Sequence, residues 1–169
     1  DANFFSATFK ADANFRWANF SAEANFISAT FSEYADFRSA TFSEYADFSS
    51  VTFSDADFGS VTFSADADFS SATFGNAYFS SATFGNAYFG SATFNADVDF
   101  ISATFNADVD FNSATFNADV DFSSAKFSAD AYFNNTKFSK TARTYFYKAS
   151  FEKDIFFERT RFRKYVSFN

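Results

Sequence analysis

The sequence predicts an all-β protein, a solenoid of short strands wound around a core of phenylalanine rings. Three observations predict it. Phe occupies 33 of 169 positions, 25% of the residues are aromatic, and Leu, Met, Pro, Cys and His are absent. From Phe4 to Phe138 the phenylalanines, Phe5 aside, recur every five or six residues. The position two before each of them is Ala or Val in 25 of 26 repeats, Thr136 being the exception.

A core of one side-chain shape is unusual, because ordinary interiors mix shapes to reach crystal-like density. A single shape points to a lattice of equivalent sites, and so to a repeat architecture. A helix does not fit the period. At about 100° per residue a five-residue step turns about 140°, so Phe69, Phe74, Phe79 and Phe84 would visit every side and form no apolar stripe. The Ser, Thr, Asn and Asp between them are poor helix-interior residues. An eleven-residue helical supercoil needs an unbroken period, and the five-only spacings from Phe48 to Phe63 and from Phe69 to Phe94 break it. Extended chain resolves the pattern, since residues two apart share a face. Ala40 and Phe42 then point inward, Thr41 and Ser43 outward, and one or two further residues turn a corner.

The unit resembles that of the pentapeptide-repeat family: a small residue, then Asp, Asn or Thr, then Leu or Phe, then Ser, Thr or Arg, then any residue. Ala35-Asp36-Phe37-Arg38-Ser39 and Ala103-Thr104-Phe105-Asn106 carry the likeness, which extends over residues 2 to 138. The resemblance implies a right-handed quadrilateral β-helix with four repeats per coil. Phe146, Phe151, Phe157, Phe162 and Phe168 bring the units to 31. That makes roughly seven to eight coils and, at ~4.8 Å between stacked strands, a rod about 35 Å long. Phe37, Phe42, Phe48, Phe53, Phe105, Phe111 and Phe116 represent the expected core ladder. Each buried Phe contributes about 1.5–3 kcal/mol, enough in aggregate to offset chain ordering. The departure from the family pattern is the six-residue spacing, read as one extra residue at alternate corners such as Glu33-Tyr34, Glu44-Tyr45 and Ala107-Asp108.

With four repeats per coil, the residue before every fourth Phe falls into one outward column. Two opposite columns are threonine: Thr30, Thr52, Thr73, Thr93 and Thr115, and Thr41, Thr62, Thr83 and Thr104. The other two begin with Asn14 and Asn25 and hold the candidate interaction surface. One carries Asp36, Asp57, Tyr78, Asp99 and Asp121; the other carries Asp47, Asp68, Tyr88, Asp110 and Tyr132. Corner acids Asp97, Asp108 and Asp119 add to them. Facing carboxylates repel, and the plain reading is a solvated surface whose charge keeps a repetitive β protein soluble. The alternative, implied by the resemblance, is a rod that imitates the charge of duplex DNA and binds a type II topoisomerase such as gyrase. Calcium would need six to eight converging oxygens, which a flat column does not arrange. The threonines suit a pleated surface as good β-formers. A hydroxyl and methyl array that binds ice is the third reading, against which Gly85 and Asn106 break the second rank begun by Ser43 and Ser64. Tyr78, Tyr88, Tyr132 and the corner residue Trp17 either anchor partners or cover neighbouring side chains.

Residues 1–138 thus read as a regular acidic body and 139–169 as a degenerate basic end of the same solenoid. Phe146 follows Phe138 by eight residues, around Ser139-Lys140-Thr141. The inward small position then becomes Thr144, Ala149, Ile155, Thr160 and Val166, the irregular packing expected near a terminal cap. Charge changes sign as well: residues 139–169 carry net +5 and the rest net −13. Lys148, Arg159, Arg161, Arg163 and Lys164 form a candidate basic docking end. It would steer toward an acidic partner, or stack copies end to end. The plain reading is that these cations protect an open β edge. The acidic body disfavours direct nucleic-acid binding.

The sequence shows no recognisable chemistry. It has no His or Cys, no glycine-rich phosphate loop and no metal-ligand spacing, so no enzyme activity, cofactor or metal is expected. Its carboxylates form a surface array with no pocket to set one pKa apart from another. No run approaches the ~18 apolar residues of a membrane-spanning helix. No leader pattern opens the chain, which tilts the expected compartment toward the cytoplasm, and the start at Asp1 suits a processed form or a piece of something longer. The expectation is a non-enzymatic scaffold or interaction rod, with protein partners or further copies of itself, inside a larger assembly. Near-identical units (Ser-Ala-Thr-Phe-Asn-Ala-Asp-Val-Asp-Phe recurs) fit duplication or consensus design.

Overall fold

A computed structural model describes residues 1–168 as 27 strands, most of them two residues long, with no helix among the described residues. The strands pair in parallel from coil to coil. Ala2 faces Ala24, Ala24 faces Ala46, Ala46 faces Ala67 and Ala67 faces Ala87. One coil therefore takes 20 to 22 residues, and 24 where Val120 pairs with Thr144 and Ala131 with Ile155. Each coil has four sides, numbered here from the one that carries Phe4. Face 1 is an eight-stranded sheet and face 4, which carries Phe20, a seven-stranded one. Faces 2 and 3, which carry Phe9 and Phe15, merge into one sheet. They do so because Thr30–Asp36, Thr52–Asp57 and Thr73–Tyr78 run unbroken round their shared corner.

The interior is four columns of rings. Within a column each Phe stacks on its equivalent one coil away, at 4.5 Å for Phe9 and Phe31 and 5.3 Å for Phe53 and Phe74. Between facing columns the rings meet edge to face, as Phe37 does Phe48 at 5.5 Å and 89°. Both arrangements suit the ring quadrupole. From Phe26 to Phe133 every inward Phe is at most 2% exposed. The inward residue two before it is buried as well, Ala at most coils and Val51, Val61, Val98, Val109 and Val120 at the others. The expected core ladder, Phe37 to Phe53 and Phe105 to Phe116, lies wholly inside.

Two kinds of corner alternate. At corners 1/2 and 3/4 a hydrogen-bonded turn closes, with Ala40 N–H donating to the Phe37 carbonyl at 3.0 Å and Ser39 at φ 57°. Positive φ at the third residue marks a type II turn. Fifteen non-glycine residues adopt this conformation, eleven of them Ser, with Trp17, Asn135, Lys148 and Arg159 as the others. Each carries a backbone cost of about 1–3 kcal/mol. The turn has a fixed length, so these corners always separate Phe residues by five. Corners 2/3 and 4/1 lack this turn and accept five, six or, from Phe138 to Phe146, eight residues. Where a six-residue corner stacks on a five-residue one the ladder slips between Phe31 and Tyr34. Gly75 sits on such a tight corner: a Cβ there would lie 1.8 Å from the Ser54 carbonyl oxygen.

Candidate functional site

The alternation of threonine and aspartate follows from backbone bookkeeping. On faces 2 and 4 the residue after Phe finds a carbonyl in the preceding coil: Ser43 N–H donates to Phe20 O, and Ser64 N–H to Phe42 O, each at 2.9 Å. On faces 1 and 3 the equivalent N–H enters the type II turn, and the residue before Phe takes it instead. Arg38 N–H donates to Asp36 Oδ1 at 3.0 Å, Ser49 N–H to Asp47 at 2.9 Å, Gly59 N–H to Asp57 at 2.8 Å and Ser70 N–H to Asp68 at 2.7 Å. Asp99, Asp110 and Asp121 repeat the arrangement, as Asn3, Asn14 and Asn25 do in the first coils. These are Asx turns, in which a short side chain caps its own backbone two residues on. The acid columns expected to be repelling carboxylates thus have one oxygen each committed to the fold.

The corner acids do a second job. At corner 2/3, Asp119 N–H donates to Asp97 Oδ1 at 3.0 Å and Arg143 N–H to Asp119 Oδ1 at 2.8 Å. At corner 4/1, Asp130 N–H donates to Asp108 Oδ1 at 3.1 Å and Asp154 N–H to Asp130 Oδ1 at 3.2 Å. Asp97, Asp108 and Asp119 were legible in the sequence as corner acids, but Asp130, Asp154 and the ladder itself were not. Their recurrence just before the inward Ala or Val was the available signal.

Two tyrosines at widened corners were also missed as partners of the acids. The Tyr34 hydroxyl donates to Asp57 Oδ2 at 3.0 Å, and Tyr45 reaches Asp47 and Asp68 at 3.2 and 3.3 Å. Burial, then the Asp57 hydrogen bond, pushes the Tyr34 phenol up to about 12; burial beside Asp47 and Asp68 raises Tyr45 too. On face 3 the Arg38 guanidinium bonds both oxygens of Asp36, which is only 6% exposed, and holds its carboxyl below the usual value. Tyr78 on face 3 is exposed, whereas Tyr88 and Tyr132 are half-buried and reach Asp66 and Asp130. Trp17 is exposed with the Arg16 guanidinium 4.1 Å over its ring. Among the described residues no group of three or more acids is placed to hold a metal ion, and no helix is long and apolar enough to cross a membrane.

The basic residues divide. Arg159, Arg161 and Arg163 come together with Lys137 around a groove of about 510 Å³ on face 2. Lys148 sits at corner 3/4 with its ammonium 5.0 Å from the centre of the Tyr147 ring, and Lys164 donates to the Thr141 carbonyl. Both threonine columns end in lysine, where Thr115 pairs with Lys137 and Thr104 with Lys126. In the core of the last coils Thr136 and Thr160 hydroxyls donate to the carbonyls of Phe111 and Phe133, while the buried Thr144 hydroxyl has no partner among the described residues.

The family model described as pentapeptide repeats (9 copies) matches residues 4–52, 48–91 and 79–126. Together these spans cover well over half of the chain. A search of curated proteins finds no match.

Proposed function

We propose that this chain, which belongs to the pentapeptide-repeat family, is a non-enzymatic rod that binds other proteins through its outer faces. The contrast between inside and outside carries the reading. Ring columns leave no opening between Phe26 and Phe133, while the surface sets similar polar groups in register from coil to coil. Catalysis needs a few groups converging in a pocket. A periodic surface offers an extended rigid contact area, the usual use of solenoid faces. The exposed Tyr78 between Asp57 and Asp99 gives face 3 an aromatic anchor in an acidic frame. Crosslinking of the chain in its native assembly, with contact positions read by mass spectrometry, tests the reading. Contacts should map to one face, and Asp→Asn changes on that face, which keep the turn acceptor, should weaken capture while the same changes on another face do not. Capture indifferent to every face variant would sink it.

A second reading is favoured by one observation. Asp110 and Asp121 each spend one oxygen on a turn and keep the other without a partner among the described residues, leaving anionic charge along the rod as on duplex DNA. A gyrase supercoiling assay decides it, and unchanged supercoiling at micromolar protein removes it.

A further inference from the structure

We propose that the groove on face 2 receives the acidic 4/1 corner of a second copy of this chain, so that rods associate side by side into open ribbons. The inference rests on the interaction-rod reading and adds the partner. Arg159, Arg161 and Arg163 are alternate residues, and Arg161 bridges Lys137 of the preceding coil in parallel register. Arg159 sits at the positive-φ position of the corner 1/2 turn and Arg163 follows Phe162, so the three arginines, from the turn and from face 2, line the groove beside Lys137. Among the described residues no acid lines the groove. Elsewhere Arg38, Lys126 and Arg143 hold carboxylates at 2.5, 2.9 and 2.8 Å. The four groove cations have no ion pair among the described residues. Like charges held in one concavity repel, and an opposed anion relieves that cost.

The chain itself offers the anion. Asp108, Asp130 and Asp154 occupy corner 4/1 in consecutive coils, without a paired cation among the described residues. Each is spaced from the next by about 4.8 Å. Asp108 and Asp154 keep an oxygen without a partner among the described residues, and Asp108 is exposed. Charge supports the match, since residues 139–169 carry +5 against −13 for the rest. Corner 4/1 joins faces 4 and 1 and shares no edge with face 2, which ends at corners 1/2 and 2/3. A contact between two such separate patches need not be returned by a two-fold axis. It is heterologous, and each added copy presents a fresh groove and a fresh acidic corner.

Light scattering and sedimentation velocity on the full chain, at about 20 mM and about 500 mM salt, test this because exposed pairs are screened over the Debye length. At low salt the mass should rise with concentration above 18.9 kDa, and high salt should return it to that value. Two variants, Arg159→Ser/Arg161→Ser/Arg163→Ser and Asp108→Asn/Asp130→Asn/Asp154→Asn, should each stay monomeric with the parent circular-dichroism spectrum; Asn keeps the ladder acceptor. Mixed together they should form a one-to-one pair and nothing larger, because only one contact remains intact. A monomer at low salt, salt-indifferent association, or either variant associating alone overturns the inference. So does a parent chain that stays monomeric while short duplex DNA or heparin binds the groove. A monomer that still captures a protein through face 1 or 3 overturns self-association and leaves the interaction-rod reading standing.

Discussion

Replacing Phe79 by Ala measures how the rings hold the rod together. Phe79 is fully buried, stacked on Phe58 at 5.0 Å and Phe100 at 4.9 Å. It also meets Phe69, Phe74 and Phe89 edge to face at 5.7, 6.0 and 5.6 Å, and Phe84 at a tilt. Truncating a core Phe costs about 3–5 kcal/mol. Aromatic pairs add ~0.5–1.5 kcal/mol each beyond burial, which places this site at the upper end. Phe168 stacks on Phe146 at 4.9 Å and is 54% exposed. Half of a Phe burial gives Phe168→Ala a cost of roughly 1 kcal/mol. Urea unfolding followed by far-ultraviolet circular dichroism compares the two variants with the parent. Because solenoid stability sums over neighbouring coils, the cavity at Phe79 should also uncouple the halves and broaden or split the transition. Equal losses from Phe79→Ala and Phe168→Ala, or a loss under ~1.5 kcal/mol at Phe79, would refute ring stacking as the source of cohesion.

Three further expectations follow from single contacts. Gly75→Ala drives a methyl into the Ser54 carbonyl at 1.8 Å, whereas Gly90→Ala meets nothing nearer than 3.8 Å. Thermal melts should show a loss of about 2 kcal/mol or more for the first and within ~0.5 kcal/mol of the parent for the second. Arg38 holds the Asp36 carboxyl below its usual value, so the folded state binds that proton less readily than the unfolded chain. The stabilisation is full above the unfolded pKa of ~3.9 and is lost as pH falls through the folded value. The urea midpoint of the parent should therefore exceed that of Arg38→Leu at neutral pH and converge with it on acidification. Tyr34, pushed up to about 12, stabilises the fold below the unfolded phenol value of ~10 and loses this as pH rises toward 12. Absorbance titration of tyrosinate should lose one late step in Tyr34→Phe and keep the earlier ones.

The Phe period and its small companion were legible because burial selects residue type directly. Phe42 and Ala40 face inward as their spacing demands, and the extra residues fall at alternate corners. What the sequence concealed was why Asp and Thr alternate. Charge and β-propensity describe Asp47 and Thr41 as surface residues, yet the difference between them is an N–H at Ser49 that has no carbonyl and one at Ser43 that does. That distinction depends on turn geometry, and Ser is not a residue whose identity announces positive φ. The groove was hidden for another reason. Lys137 was read with the acidic body and Lys148 with the basic end, while the coil period sets Arg161 beside Lys137 and leaves Lys148 at another corner.

The two kinds of corner divide the rod into rigid seams and elastic ones. A residue gained or lost at corner 1/2 or 3/4 would open a closed turn and throw every later ring out of phase. The same change at corner 2/3 or 4/1 is absorbed locally, and even the three additional residues between Phe138 and Phe146 leave Phe122 stacked on Phe146 at 5.1 Å. Grafted loops, tags or recognition peptides therefore belong on those two edges, along which a gene could acquire new surface one codon at a time while the interior stays in step.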